Sequence, residues 1–351
     1  MTILTTTIGA YPKPEFVNIR DWFQDRPEAM RSPTKDYEQA MQAMGTEAAE
    51  ILARGTKEAV LDQVNAGIDI PTDGEVRREN YVHYHCRHLD GIDFDNLTTI
   101  NIRGGAYTDT TLPTITSPVR ARGSFLTDDW REAQSFTDRP VKITMPGPMT
   151  IAGTVANDYY DDPKQLGIDL ASALNKEVLA LAEAGVRYVQ IDEPLFARQP
   201  DVALDYGIEH IDRCFHGAPD SVIRTVHMCC GYPDRLDNSD FPKAAKESYA
   251  QIASAVEASS IQAISIEDAH RHNDLSLLEN FGTTTVILGV VDVSSSRIET
   301  VEEIEARFKE GLEHIDKDRL IAAPDCGLGL LTREMAVNKL SNLSEAAGRI
   351  G

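Results

Sequence analysis

What this 351-residue chain lacks narrows its possibilities first. No apolar run approaches the ~20 residues that span a bilayer as a helix, so no helical membrane anchor is expected. The stretch from Met1 to Pro14 has no basic segment followed by an apolar one, so no secretory leader is expected either. Cysteine is scarce and odd in number. Five thiols cannot all pair, which excludes a disulfide framework and points to a reducing, cytoplasmic setting with thiols that are buried, metal-bound or catalytic. Basic residues are short: Lys and Arg total 34 against 56 Asp and Glu, a net charge of −22. Phosphate backbones and anionic lipid repel such a surface, so neither nucleic acid nor a membrane is an expected partner. No G-x-G-x-x-G turn follows the first apolar segment, which weakens an open dinucleotide-binding sheet. Solenoid-spaced repeats and low-complexity tracts are also missing.

What is present is the ordinary balance of a folded protein, 42% hydrophobic and 26% charged, long enough to bury a large core. Eight short, nearly continuous apolar segments recur, at 5–9, 66–73, 141–146, 187–192, 223–229, 262–267, 285–290 and 320–325. Continuity of this kind marks strands buried on both faces. Apolar residues at three- to four-residue spacing predict helices over 36–65, 163–185, 243–258, 301–315 and 333–349. Asp162-Pro163 opens one helix, Gly185 closes it, and Thr300 with Glu303 reads as a capping box. Alternation of this kind predicts an α/β fold, a (β/α)8 TIM barrel forming one domain over 1–351. A long polar stretch at 81–139 interrupts it between strands two and three, with a hairpin-like excursion expected near one barrel mouth.

A barrel of this type carries its active site at the carboxyl ends of its strands. His227 and Cys229 stand two apart at the end of strand five and so face the same side, while Cys230 faces away. Glu267 ends strand six and Cys326 follows strand eight. One imidazole, two thiolates and one carboxylate suit a tetrahedral Zn2+ site. The competing reading of each cysteine alone is a small buried hydrophobe. A zinc carrying this much ligand charge is a poor generator of hydroxide but holds a substrate thiol as thiolate, which implies alkyl transfer to sulfur. Glu75 and Asp192, at the ends of strands two and four, suit an α-ammonium group; helix caps or barrel-mouth ion pairs are the alternative. Backbone amides at Ile8, Gly9 and Ala10 suit an α-carboxylate. A second cluster, His83, His85, Cys86 and His88, lies outside the strands and beside Arg77, Arg78 and Arg87. There, recognition of an anionic group is expected rather than a metal. His270 and His272 are expected to be solvated or to support the metal ligands.

These segments resemble the catalytic half of cobalamin-independent methionine synthases, and specifically the short core members of that family. The matching segments are Ile8-Gly9 with Tyr11-Pro12, Asp73-Gly74-Glu75, Gly147-Pro148-Met149-Thr150, Gln190-Ile191-Asp192-Glu193-Pro194, His227-Met228-Cys229, Ile264-Ser265-Ile266-Glu267, Val291-Asp292 and Asp325-Cys326-Gly327. The resemblance implies zinc on His227, Cys229, Glu267 and Cys326. It implies homocysteine as methyl acceptor, with its amino group on Glu75 and Asp192. The donor it implies is methyltetrahydrofolate or a methylcorrinoid, so that a corrinoid or methyl-carrier protein is an allowed partner. Three positions depart from the pattern. Ala10 stands where the family commonly has Ser. Ser294 stands where folate-using members have a His that assists proton transfer, and inherits that candidate role. Ala152 and Gly153 stand where those members have a Trp that stacks on the pterin. Relatives of this fold also add thiols such as coenzyme M to epoxides. That alternative would need a cation near the metal, for which Arg77, Arg78 and Arg198 are candidates.

Overall fold

The computed structural model describes residues 2–19, 33–102 and 107–350. Its strands are β1 (Leu4–Thr5), β2 (Leu89–Ile102), β3 (Tyr107–Ala121), β4 (Ile143–Pro146), β5 (Ala156–Asn157), β6 (Tyr188–Asp192), β7 (Ile223–Met228), β8 (Ala263–Glu267), β9 (Thr285–Val291) and β10 (Leu320–Pro324). The helices before β6 are α1 (Pro33–Met44), α2 (Ala48–Asn65), α3 (Tyr81–Cys86), α4 (Leu126–Gln134), α5 (Pro148–Ala152) and α6 (Pro163–Ala184). Those after it are α7 (Pro194–Arg198), α8 (Pro200–Val202), α9 (Ile208–Phe215), α10 (Ser248–Glu257), α11 (Val301–Gly311) and α12 (Arg333–Arg349). Among the described residues no helix is long and apolar enough to cross a membrane.

Seven strands form one parallel sheet in the order β1-β10-β9-β8-β7-β6-β4. The segment expected as strand two closes the ring. Ile70 bridges Thr6 and Thr72 bridges Lys142, both parallel. Only these bridges form, because Pro71 has no N–H to donate and the Gln63 side chain takes both the N–H and the C=O of Thr72, at 2.9 and 3.1 Å. The (β/α)8 reading therefore stands, with one strand reduced to two contacts. Leu, Ile and Val side chains from the strands and from the helices around them form one continuous buried core.

The cap signals behave as expected. The Thr300 hydroxyl and Glu303 carboxylate cap each other's backbone at the start of α11, Asp162 caps α6, and Gly185 ends it at φ +97°. Two helix predictions need correction. The stretch 36–65 is broken, because Gly45 adopts φ +54°, which an α-helix cannot absorb. The stretch 243–258 starts late, at Ser248, because the Ala244 N–H is drawn instead to the Cys230 carbonyl at 2.7 Å. The excursion at 81–139 is the expected hairpin: β2 and β3 pair antiparallel, and β3 also pairs in parallel with β5. Its buried Leu112, Ile115 and Val119 secure it to the barrel.

Candidate active site

The parallel register brings four ligand types to one rim. β7 places His227 opposite Ser265 of β8, and the Nδ1 of His227 lies 2.9 Å from the Ser265 hydroxyl. That contact fixes the ring so that Nε2 faces the Cys326 sulfur at 3.4 Å. The ligand atoms of His227, Cys229, Glu267 and Cys326 all lie within 4.8 Å of one another. A hydrogen bond from the Cys326 thiol to the Cys229 sulfur pushes the Cys229 pKa well below its usual value and that of Cys326 up. Burial, followed by the nearby thiols of Cys229 and Cys230, raises the pKa of Glu267.

The Glu267 carboxylate is the most informative group. Its Oε2 accepts the Cys230 N–H at 3.0 Å, but its Oε1 is buried with no hydrogen-bond partner. A bare carboxylate oxygen inside a protein is costly, and a cation beside two sulfurs and an imidazole would satisfy it. The residues therefore fit a soft-to-borderline divalent metal, and the sequence-derived set of four ligands is the set brought together here.

A cleft of about 540 Å³ opens over this cluster, and His227, Cys229 and Cys326 line it. Ile8, Gly9, Ala10, Glu75 and Asp192 line the same cleft, so the amino-acid candidates share one space with the metal candidates. Glu75 sits in the left-handed region at φ +55°, a conformation that non-glycine residues rarely hold. Its Oε1 is fixed by the Thr144 hydroxyl at 2.7 Å and by Arg78 at 3.2 Å. Arg78, itself fully buried, also grips Asp73 at 3.2 Å. Gly9 makes room for this carboxylate, since a Cβ there would lie 2.5 Å from Glu75 Oε1. Asp192 accepts from Gln190 Nε2 at 2.7 Å, and the same nitrogen reaches the Ile8 carbonyl at 2.7 Å, tying the first strand to the fourth. Burial, and then the charge of Glu75, hold the Asp192 pKa well above the usual carboxylate range. Two buried carboxylates thus face one cleft.

Other sequence candidates fall elsewhere. The Ser294 hydroxyl and N–H both turn onto Asp292 Oδ1, at 2.6 and 2.7 Å, which closes a local turn; Ser294 is not among the residues lining the cleft. Glu193 caps α5 through the N–H groups of Met149 and Thr150, at 3.0 and 2.7 Å, which explains the Gly147-Pro148 segment beside it. Arg77 pairs with Asp129 and Glu132, and Arg87 with Glu38 and Glu79. In the second cluster, His83, His85 and Cys86 are buried on α3 and His88 stacks on Phe125 at 3.8 Å, and none of the four lines the cleft. His272 is exposed, as expected. His270 and Asp325 are more deeply involved than sequence indicated. The Nδ1 of His270 lies 2.7 Å from Asp325 Oδ2, and its Nε2 lies 3.2 Å from Cys230. The signal was an acidic residue directly before Cys326 and a histidine three after Glu267.

Comparison with known proteins identifies the family. The family model described as cobalamin-independent synthase, catalytic domain, matches residues 3–349. A methionine synthase of Saccharolobus solfataricus is 31% identical, with 97% of this chain and 92% of that protein covered. One from Thermococcus kodakarensis is also 31% identical, covering 97% and 90%. A solved structure of a B12-independent methionine synthase from a Shewanella species, in complex with selenomethionine, superposes with a TM-score of 0.87 at 30% identity, covering 100% of this chain and 98% of that one. By fold, by site and by these matches, the chain belongs to the cobalamin-independent synthase family.

Proposed function

We propose that this protein is a zinc-dependent methyltransferase that methylates the thiol of homocysteine to give methionine. The observation that carries this reading is the shared cleft: a soft metal-ligand set and two ammonium-binding carboxylates face one space. His227, Cys229, Glu267 and Cys326 would hold Zn2+, which when bound supplies a Lewis acid that keeps a substrate thiol as thiolate at neutral pH. Glu75 and Asp192 orient the amino acid through its ammonium group, and the amides of Ile8, Gly9 and Ala10 receive its carboxylate. The carbonyls of Ile8, Gly9 and Ala10 are bonded to Gln190, Thr72 and Leu328, which holds this segment in place. Orientation matters because sulfur must attack the methyl carbon in line with the bond that breaks to the donor. The selenomethionine bound by the Shewanella relative supports a methionine-shaped occupant. All five cysteines are unpaired, which supports a reducing cytoplasmic setting. The near-complete family match supports reading 1–351 as one catalytic domain.

Methyltetrahydrofolate and a methylcorrinoid both remain donors to test. Ser294 is turned onto Asp292 and does not line the cleft, which speaks against proton assistance from that position. One observation favours a second reading, alkyl transfer to a thiol with an anionic tail. Arg198 lines the cleft, whereas Arg77 and Arg78 are engaged by carboxylates. Zinc content and methionine formation from homocysteine, measured with methyltetrahydrofolate and with methylcobalamin, test the main reading. Cys326→Ser should lose zinc and turnover together. Full activity in a zinc-free Cys326→Ser protein would overturn it, and tighter binding of coenzyme M than of homocysteine would favour the second.

A further inference from the structure

Cys230 turns away from Cys229 at the end of β7 and meets a different set of groups. Its sulfur lies 3.2 Å from His270 Nε2, and its N–H donates to Glu267 Oε2 at 3.0 Å. The same Oε2 is 3.7 Å from His270 Nε2. The ligand atoms of Cys230, His270 and Glu267 therefore lie within 4.8 Å of one another. Cys230 and Glu267 are 1% and 2% exposed, so this is an interior cluster rather than a surface coincidence.

The surroundings of His270 are those of a metal ligand. Its Nδ1 faces Asp325 Oδ2 at 2.7 Å, and Asp325 is held by the N–H groups of Asp268, Ala269 and His270, each at 2.8 Å. A carboxylate that accepts from one ring nitrogen orients the ring, so the other nitrogen can bind an ion once the proton it shares with Cys230 leaves. That second nitrogen points at a thiol and a carboxylate.

We propose that Cys230, His270 and Glu267 form a second metal position adjoining the first, with Glu267 bridging the two, and that it takes a thiophilic divalent cation such as zinc. Glu267 is suited to bridging. Its Oε1 has no protein partner, and its Oε2 lies on the side of Cys230 and His270. One thiolate, one imidazole and one carboxylate oxygen suit zinc and leave a fourth position open. Charge supports the pair. Three thiolates with the Glu267 and Asp325 carboxylates carry five negative charges, of which two divalent cations offset four where one offsets two. Loading the second position releases to solvent the proton that Cys230 Sγ and His270 Nε2 share, as the sulfur–metal and nitrogen–metal bonds form. This inference rests on the first metal position for the other oxygen of Glu267, yet the two are tested apart.

The test is titration of Co2+ into the metal-free full-length protein, followed by sulfur-to-cobalt charge-transfer absorption and bound-metal analysis. Two equivalents are expected, the second weaker and adding the absorption of one further thiolate. Cys230→Ser and, independently, His270→Ala should keep the first phase and lose the second, with melting curves showing both variants folded. Saturation of the parent at one equivalent, or survival of the second phase in folded Cys230→Ser, would overturn the second position and leave the first intact. Absence of the first phase would instead overturn the zinc assignment under the proposed function.

Discussion

The sharpest prediction concerns Gly9, a residue that contributes no side chain to the site. Its backbone is not in the left-handed region, so alanine fits there conformationally, and the obstacle is one contact. A Cβ would stand 2.5 Å from Glu75 Oε1, whereas ordinary van der Waals contact begins at 3.4 Å. The carboxylate must therefore retreat by nearly 1 Å (3.4 − 2.5 Å). It has little freedom to do so, since Thr144 and Arg78 hold the same oxygen at 2.7 and 3.2 Å and the Glu75 backbone is fixed at φ +55°. If Glu75 binds the substrate ammonium, Gly9→Ala loses one charge-assisted hydrogen bond, about 1.5–3 kcal/mol. At about 1.4 kcal/mol per tenfold, the KM for homocysteine rises about 10- to 150-fold. Because this contact is made equally in the ground and transition states, kcat should change by no more than a few-fold. Steady-state kinetics at saturating donor, with a melting curve to show an intact fold, make the measurement. A KM within twofold of the parent in a folded Gly9→Ala protein would refute the placing of Glu75 on the substrate.

Two further predictions turn on pH. Asp192 is raised by burial and then by Glu75, so its protonated form stabilises the fold and that stability is lost as pH rises through its folded pKa. Without ligand, Asp192→Asn should melt above the parent at neutral pH, with the gap closing towards about pH 4, while homocysteine binding weakens. A variant that melts lower throughout would contradict this. Lys142 runs the other way. Its Nζ is buried without a hydrogen-bond partner, and burial lowers its pKa from 10.5 to about 7. A base depressed on folding adds stability as pH rises between those values, so Lys142→Met should flatten that slope. It should also stabilise the protein at neutral pH by about 1–3 kcal/mol. Urea denaturation near pH 7 and near pH 10 checks it, and an unchanged slope counts against the reading.

Much of the fold was legible because the inner strands of the barrel are apolar on both faces and α6 and α11 begin on recognisable caps. Thr300 with Glu303, Asp162 and Gly185 behave as local chemistry demands. Strand two was only partly legible. Pro71 announces a missing donor, but nothing local says that the side chain of Gln63 would take the backbone of Thr72. The late start of α10 was hidden for a similar reason, since the Ala244 N–H is captured by Cys230 from a different element. At the site, the metal-ligand set was legible because parallel strands must deliver their carboxyl ends to one rim. The placing of Ser294 was not legible, because position relative to Asp292 says nothing of which way a turn folds back.

By itself the sequence determined the ring of parallel strands, the acidic surface and the residue types at each strand end, all of which follow from periodicity and composition. The tertiary structure alone decided which of those residues share a space. It set the left-handed Glu75 against Gly9, buried Arg78 against Thr144, and gave Asp325 to His270 rather than to solvent. It also left one oxygen of Glu267 bare. The reason is that hydrogen bonds such as those between residues 69 and 182 positions apart depend on distances that no local pattern encodes, whereas the direction of a side chain along a strand depends only on its neighbours.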